Sequence, residues 1–293
     1  MFVLVFTSIV IEALPFVLLG ALVAALIQTY VPDRVFTRIG RLPLTLQMPG
    51  AVAAALAFPV CECGSIPVAR RLIKRGLHPA AGLTFMLAAP VLNPVVLFST
   101  YVAYSGRGVG LEMVAGRAGI GLAAALVVGV ALRHMEADRL LRPRTSRHVH
   151  DHDHGHAHGH SRVRDAADHL TGDLLFMGKF VVAGAALAAL FQTAIPQHVV
   201  AEVGRFPTVL SLAMMGLAFL LSLCSEADAF VAVSFLGFPL GAQLAFLTFG
   251  PVADVKLALL YSATFRRGVA LKIIAVAAVW ILAMTTLFQV LVG

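Results

Sequence analysis

Two short stretches place reactive side chains where the surrounding sequence is apolar. In "PVCECGSIPVARRLIKRG" (59–76) the thiols of Cys61 and Cys63 flank Glu62, and four positive charges follow. In "LCSEADAF" (223–230) Cys224 precedes Glu226 and Asp228. Thiolates are soft ligands that select soft metals and metalloids. Carboxylates inside a membrane segment are costly and mark ion or proton pathways. Two further breaks, "APVLNPV" and "GPVADVK", add Asn93 and Asp254. A different chemistry lies in "HVHDHDHGHAHGH", where His148, His150, His152, His154, His156, His158 and His160 alternate with small or acidic residues. Neutral imidazole suits zinc, copper, nickel and cobalt, and such a tract chelates without a fixed fold. It reads either as a metal ligand or as a His-rich spacer.

Composition sets what must hold these residues. Of 293 residues 59% are hydrophobic and 13% charged, and the mean hydropathy is +0.90. A soluble domain carries about 25% charged residues, so the reading is an all-α integral membrane protein. The net charge of +7 fits cytoplasmic loops and speaks against nucleic acid as a partner. Three cysteines give no disulfide framework. The beginning "MFVLVFTSIVIEALPF" lacks a basic n-region and reads as a retained first helix.

A bilayer core needs about 20 apolar residues per helix. The runs 3–29, 109–132, 172–195 and 268–292 meet that length. The runs 78–105 and 238–263 are long but interrupted, and 46–76 and 208–237 have a polar break in the middle. The chain therefore divides into 1–133, a polar His-rich linker over 134–170, and 171–293. The two flanking parts are copies: "FVLLGALVAALIQTYVPDRVFTRIGRLP" (16–43) aligns without gaps to "FVVAGAALAALFQTAIPQHVVAEVGRFP" (180–207), identical at 14 of 28 positions. Cys61 then matches Cys224, and Asn93 matches Asp254.

Charge predicts that the copies are inverted. The first break is followed by "ARRLIKRGLHP" and the second by "VSFLGFPLGA"; Glu112 stands where the other copy has Lys272. Lys and Arg collect on the cytoplasmic side. The topology that obeys this has three spanning helices and a re-entrant helical hairpin per repeat, about eight to ten hydrophobic segments in all. The N-terminus is then outside and the linker cytoplasmic, with Arg70, Arg71, Lys74 and Arg75 as topology anchors. Inverted-repeat transporters bind near the midplane, where broken helices meet. The two hairpin tips would bring together Cys61, Glu62, Cys63, Cys224, Glu226 and Asp228, joined by Asn93 and Asp254. Cysteine also fills space in cores, and Asn93 could simply cap a half-helix. Glu12 is either a proton-relay carboxylate or a residue at the outer interface. Arg117 snorkels or pairs with a carboxylate, and Lys256 pairs with Asp254. Gly20 and Ala24, at four-residue spacing, suit helix packing within the protomer or between protomers.

"FPVCECGSIPVARRLIKRG", "AAPVLNPVVLFST" and "SLCSEADAFVAVSF" resemble the bacterial predicted-permease family that includes YraQ and the ArsP-type organoarsenical efflux permeases. The matched positions are Cys61, Glu62, Cys63, Gly64, Pro67, Pro90, Asn93, Pro94, Cys224, Glu226 and Asp228. The resemblance implies a multi-pass inner-membrane permease in a bacterial cell, some relatives exporting trivalent organoarsenicals and others copper or zinc. The His-rich linker lies outside the family pattern and favours a divalent or soft metal as substrate or as ligand of the loop.

The expected function is thus export of a soft metal or metalloid by alternating access, with Glu12, Glu226 or Asp228 taking up protons. A trivalent organoarsenical is the other substrate reading. A membrane metal sensor and a thiol oxidoreductase are the readings without transport. No G-x-x-x-x-G-K-[ST] or H-E-x-x-H motif is present, so the chain reads as a transporter rather than an enzyme, needing no cofactor. Its partners are the lipid bilayer, a small ion or metalloid and, for assembly, a second copy of the chain.

Overall fold

A computed structural model describes residues 2–30, 33–58, 60–142, 162–194 and 207–292. The seven histidines from His148 to His160 lie outside the described residues. Among the described residues helices are the only extended regular structure, with one isolated bridge, Leu141 to Phe265, and no strand. Five stretches are long and apolar enough to cross a membrane: Phe2–Leu22, Pro79–Ser105, Gly110–Ala131, Leu170–Leu190 and Gly268–Leu291. Their outward residues are apolar, with Leu4, Leu111, Leu175 and Leu291 each more than 70% exposed. A polytopic membrane protein has this surface because lipid tails, not water, cover it.

In the first part of the chain α1 (Phe2–Tyr30) is followed by the short α2 (Asp33–Gly40), then α3 (Leu44–Ala57), α4 (Glu62–Lys74), α5 (Pro79–Leu92), α6 (Pro94–Ser105) and α7 (Gly110–Ala131). After the single turn α8 (Ala137–Leu140) come α9 (Arg162–Ala194), α10 (Pro207–Leu221), α11 (Asp228–Ala232), α12 (Leu240–Phe249), α13 (Val255–Thr264) and α14 (Arg267–Val292). Helix α9 begins at Arg162, inside the segment assigned to the linker from its polarity alone. The sixth long run is not continuous: turns at 250–254 divide it into two ten-residue helices.

Each break has a local cause. Proline disfavours helical backbone in the residue before it, and Asn93, preceding Pro94, has φ −54° and ψ 123°. Its Oδ1 accepts from the Val95 amide at 3.0 Å, capping α6. Asp254 does the same for α13, accepting from the Leu257 amide at 2.6 Å. Aligned positions of the two copies thus perform the same capping. Between α10 and α11 Ser222 takes φ 47°, a left-handed value costly for a residue with a Cβ. Its hydroxyl accepts from the Val255 amide at 3.1 Å, tying this break to the start of α13. The α3–α4 break lies between Phe58, which closes α3, and Cys61, which opens α4.

The packing repeats as well. Helix α3 lies on α5 and α5 on α7; in the second part α10 lies on α12 and α12 on α14. The parts meet through α1 against α9, and through α7 against both α12 and α14. Tyr104 Oη donates to Gln243 Oε1 at 2.8 Å, a further link between α6 and α12. Where α1 crosses α4, a Cβ on Gly20 would collide with the backbone of Gly64. Gly20 therefore packs within the protomer. We expect Gly20→Ala to lower stability by about 1–3 kcal/mol through overpacking, read as a lower Tm in detergent. Gly119→Ala, which meets nothing within 4 Å, should leave the Tm unchanged or slightly raised.

At one end of the bundle the backbone amide of Arg142 donates to Thr264 O (2.9 Å) and that of Arg266 to Leu140 O (3.2 Å). Arg70, expected to be a topology anchor, is 7% exposed and donates through Nη2 to Arg142 O at 2.9 Å. Its guanidinium joins α4 to the segment leading into the His-rich tract.

Candidate functional site

The breaks between α3 and α4, α5 and α6, α10 and α11, and α12 and α13 converge. The first turns of α4, α6 and α13 carry Glu62, Asn93 and Asp254 into one region. Helix N-termini carry a partial positive charge that favours acidic groups there. The link between the chain's two parts is direct: Ser225 Oγ donates to Glu62 Oε2 at 3.0 Å, joining the loop before α11 to the start of α4.

On one side of that link stands Arg117, fully buried in α7. Its Nη1 and Nη2 donate to Asp228 Oδ1 and Oδ2 at 2.8 and 2.7 Å. This fork-to-carboxylate geometry is the strong form of the pair. Nη1 also donates to Thr100 Oγ1 at 2.9 Å, and Nη2 to Ser225 O at 3.2 Å. Both oxygens of Asp228 are therefore engaged, and its role here is to hold α11 against α7. On the other side Lys256, 3% exposed, lies between two carboxylates. Its Nζ is 3.5 Å from Asp254 Oδ2 and 3.8 Å from Glu62 Oε1. The expected Lys256–Asp254 pair is present, and Glu62 extends it into the first part of the chain.

The three cysteines are buried and free of disulfides. Cys224 Sγ donates to Glu226 Oε2 at 2.6 Å, and Glu226 Oε1 accepts from Asn93 Nδ2 at 3.5 Å. Glu226 is half-buried, so the buried Cys224 thiol ends on a partly exposed carboxylate. Glu12, also half-buried, lies on α1, which packs against α4. The structure thus brings together Glu12, Cys61, Glu62, Cys63, Asn93, Cys224, Glu226, Asp228 and Asp254. Among the described residues no three or more His, Cys, Asp or Glu side chains are arranged to hold a metal ion.

The carboxylate pairing expected for Arg117 is present, with Asp228 as the partner. Ser225 is the residue whose central place motif reading missed: the hydroxyl next to Cys224 gave no signal, since only the fold turns it toward Glu62.

Five carboxylates (Glu12, Glu62, Glu226, Asp228, Asp254) face two cations (Arg117, Lys256) in this region. Such an excess attracts protons or a cationic solute, because uncompensated buried charge is costly.

A family model described as predicted permease (ArsP_1) matches residues 1–293. UPF0718 protein YcgR of Bacillus subtilis (strain 168) is 40% identical over 265 residues, covering 90% of this chain and 88% of that protein. A protein of Streptococcus mutans serotype c, whose name describes a subunit of a two-component membrane permease complex, is 31% identical over 266 residues. The alignment covers 89% of this chain and 86% of that one. No solved structure matches the chain.

Proposed function

The chain belongs to the predicted-permease family, and from that premise we propose that it exports a soft metal or metalloid across the bacterial inner membrane by alternating access. The observation that carries this reading is the joint at Ser225 and Glu62, where a helix break from each part of the chain meets beside three buried thiols. Irregular backbone at membrane depth is stable only where protein or a water-filled cavity covers it, and broken helices at the midplane are where transporters bind. Two inverted repeats rock about this joint. Protons taken up by Glu226 and Glu12 couple the cycle to the proton gradient. Arg70, Arg142 and Arg266, gathered at one end, mark the cytoplasmic side, and the His-rich tract that follows Arg142 collects metal there. The two-component name of the Streptococcus mutans relative suggests that this permease too works with a second subunit.

A trivalent organoarsenical is a second substrate reading with an observation in its favour. A monosubstituted arsenic(III) centre forms two bonds to sulfur, and Cys61 and Cys63 supply two free, buried thiols two positions apart in the chain. A zinc ion takes four ligands.

Uptake into everted membrane vesicles tests both readings. Zinc, copper(I) and methylarsenite are offered in turn, with and without a proton gradient, to vesicles with and without the protein. We expect one of the three to accumulate several-fold above vesicles lacking the protein, and the accumulation to collapse when a protonophore removes the gradient. Equal levels for all three probes would reject the export reading.

A further inference from the structure

Two junctions that hold the same place in the two copies are tied across the molecule at opposite ends. "YVAYSGRGVGLE" (101–112), which joins α6 to α7, aligns without gaps to "YSATFRRGVALK" (261–272), which joins α13 to α14. At the first junction Tyr104 Oη and Arg107 Nη1 donate to Gln243 Oε1 at 2.8 and 3.3 Å. Gln243 Nε2 donates in turn to the carbonyls of Phe235 and Phe238 at 3.0 and 2.8 Å. All four hydrogen-bonding positions of that amide are filled, and Tyr104 and Gln243 are fully enclosed. The second junction is tied by residues 140–142. There the Arg142 amide donates to Thr264 O and the Arg266 amide to Leu140 O. Arg142 Nη1 donates to Ser262 O at 3.1 Å, and Arg142 O accepts from Arg70 of α4. Helix α7 has 22 residues and a length of about 33 Å. It runs from one tie to the other and so sets them at opposite ends of the bundle.

We propose that these ties are two gates that open one at a time, Arg70 with residues 140–142 closing the cytoplasmic end and Tyr104 with Gln243 closing the outer end. Each tie grips helices by the ends farthest from the central joint. The cytoplasmic one holds α4 and α13, whose first turns carry Glu62 and Asp254 at the centre. The outer one holds α6, which starts at Asn93, to the turn that follows α11. Parting either tie therefore opens a path along these helices to the joint from one face only. With both ties closed the three thiols are buried, as an occluded state requires. Each tie includes an exposed arginine, Arg107 or Arg142. Water can take over its hydrogen bonds as it parts, and such an exchange costs little net free energy. The forked Arg117–Asp228 pair between them is buried, with no water to replace either partner, and serves as the pivot. That the ties alternate rests on the permease reading above. That each closes one end does not.

The native thiols report on the gates without any transport. Everted vesicles present the cytoplasmic face to a membrane-impermeant thiol reagent and spheroplasts the outer face, and mass spectrometry locates the label on Cys61, Cys63 and Cys224. Arg70→Met, which frees α4 from Arg142, should raise the labelling rate at least fivefold from the cytoplasmic face and leave the outer rate as in wild type. Gln243→Leu should do the reverse. Should that variant fail to fold, Tyr104→Phe, which removes one donor at nearly constant volume, should show the same sidedness. A variant that is merely loosened labels faster from both faces; that result, or rates equal to wild type from both, overturns the proposal. A second measurement closes a gate instead. Leu141 and Phe265 form a non-hydrogen-bonded antiparallel pair, in which Cα atoms stand about 4.5 Å apart, within reach of a disulfide. Oxidised Leu141→Cys/Phe265→Cys in vesicles should lose gradient-driven uptake at least tenfold and regain it with reductant, while wild type is unaffected by the oxidant. Uptake undiminished by a formed cross-link overturns the cytoplasmic gate. Vesicles in which wild type carries none of zinc, copper(I) and methylarsenite would reject the export reading and leave the sided labelling to decide the gates.

Discussion

Arg117→Met and Asp228→Asn are each expected to destabilise the folded protein by about 3–5 kcal/mol, the cost of leaving a buried charge or its hydrogen-bonding partner uncompensated. The pair is wholly inside the protein: Arg117 is 0% exposed and Asp228 3%. Arg117 also satisfies Thr100 and the Ser225 carbonyl. Removal of its guanidinium therefore strands three acceptors from both parts of the chain. An apolar pair of similar volume avoids that penalty, since buried ion pairs often gain little over well-packed apolar side chains. Arg117→Met/Asp228→Leu should accordingly be more stable than either single variant, with a coupling energy of about 2 kcal/mol or more. Thermal unfolding in detergent and the yield of monodisperse protein measure the cycle. Single variants within about 1 kcal/mol of wild type would show that the pair does not hold α7 to α11.

Much of this architecture is legible in the residues. Apolar runs of about 20 residues, set by the bilayer, mark five of the six long stretches close to where the structure has candidate spans; the sixth, 238–263, is divided into two ten-residue helices. The polar residues of "PVCECG", "APVLNPV" and "GPVADVK" mark three of the breaks; Asn93 leaves the helical region before Pro94, and Asn93 and Asp254 each cap the helix that follows. What the sequence could not convey is partnership across distance. Arg117 and Asp228 are 111 residues apart, and Glu62 and Ser225 are 163 apart. No local periodicity encodes such pairs; they follow from the order in which α4, α7, α11 and α13 pack. The burial of Arg70 was not legible for the same reason. A cluster reading "ARRLIKR" looks uniformly exposed until α4 is given a buried face. The extent of α9 was hidden because the charged residues from Arg162 carry a helix beyond the apolar stretch that composition detects.

The largest functional effect is expected at the thiols. Cys61 and Cys63 are 1% and 2% exposed and sit where the α3–α4 break faces the second part of the chain. Serine keeps nearly the same volume and a polar terminus, so Cys61→Ser/Cys63→Ser preserves packing while replacing soft sulfur with hard oxygen. Selectivity for a soft solute depends on that softness. The ion pairs at Arg117 and Lys256 involve neither side chain, so the fold should persist with a Tm within a few degrees of wild type. If these thiols instead only fill space, as buried cysteines often do, the exchange should be silent.

Gradient-driven uptake by everted vesicles of equal protein content, wild type against Cys61→Ser/Cys63→Ser, is the most direct measurement of whether solute passes the thiols where the two parts meet. The account predicts that the transported probe among zinc, copper(I) and methylarsenite falls at least tenfold in the double variant while its Tm stays near that of wild type. Undiminished uptake by a folded double variant would contradict it.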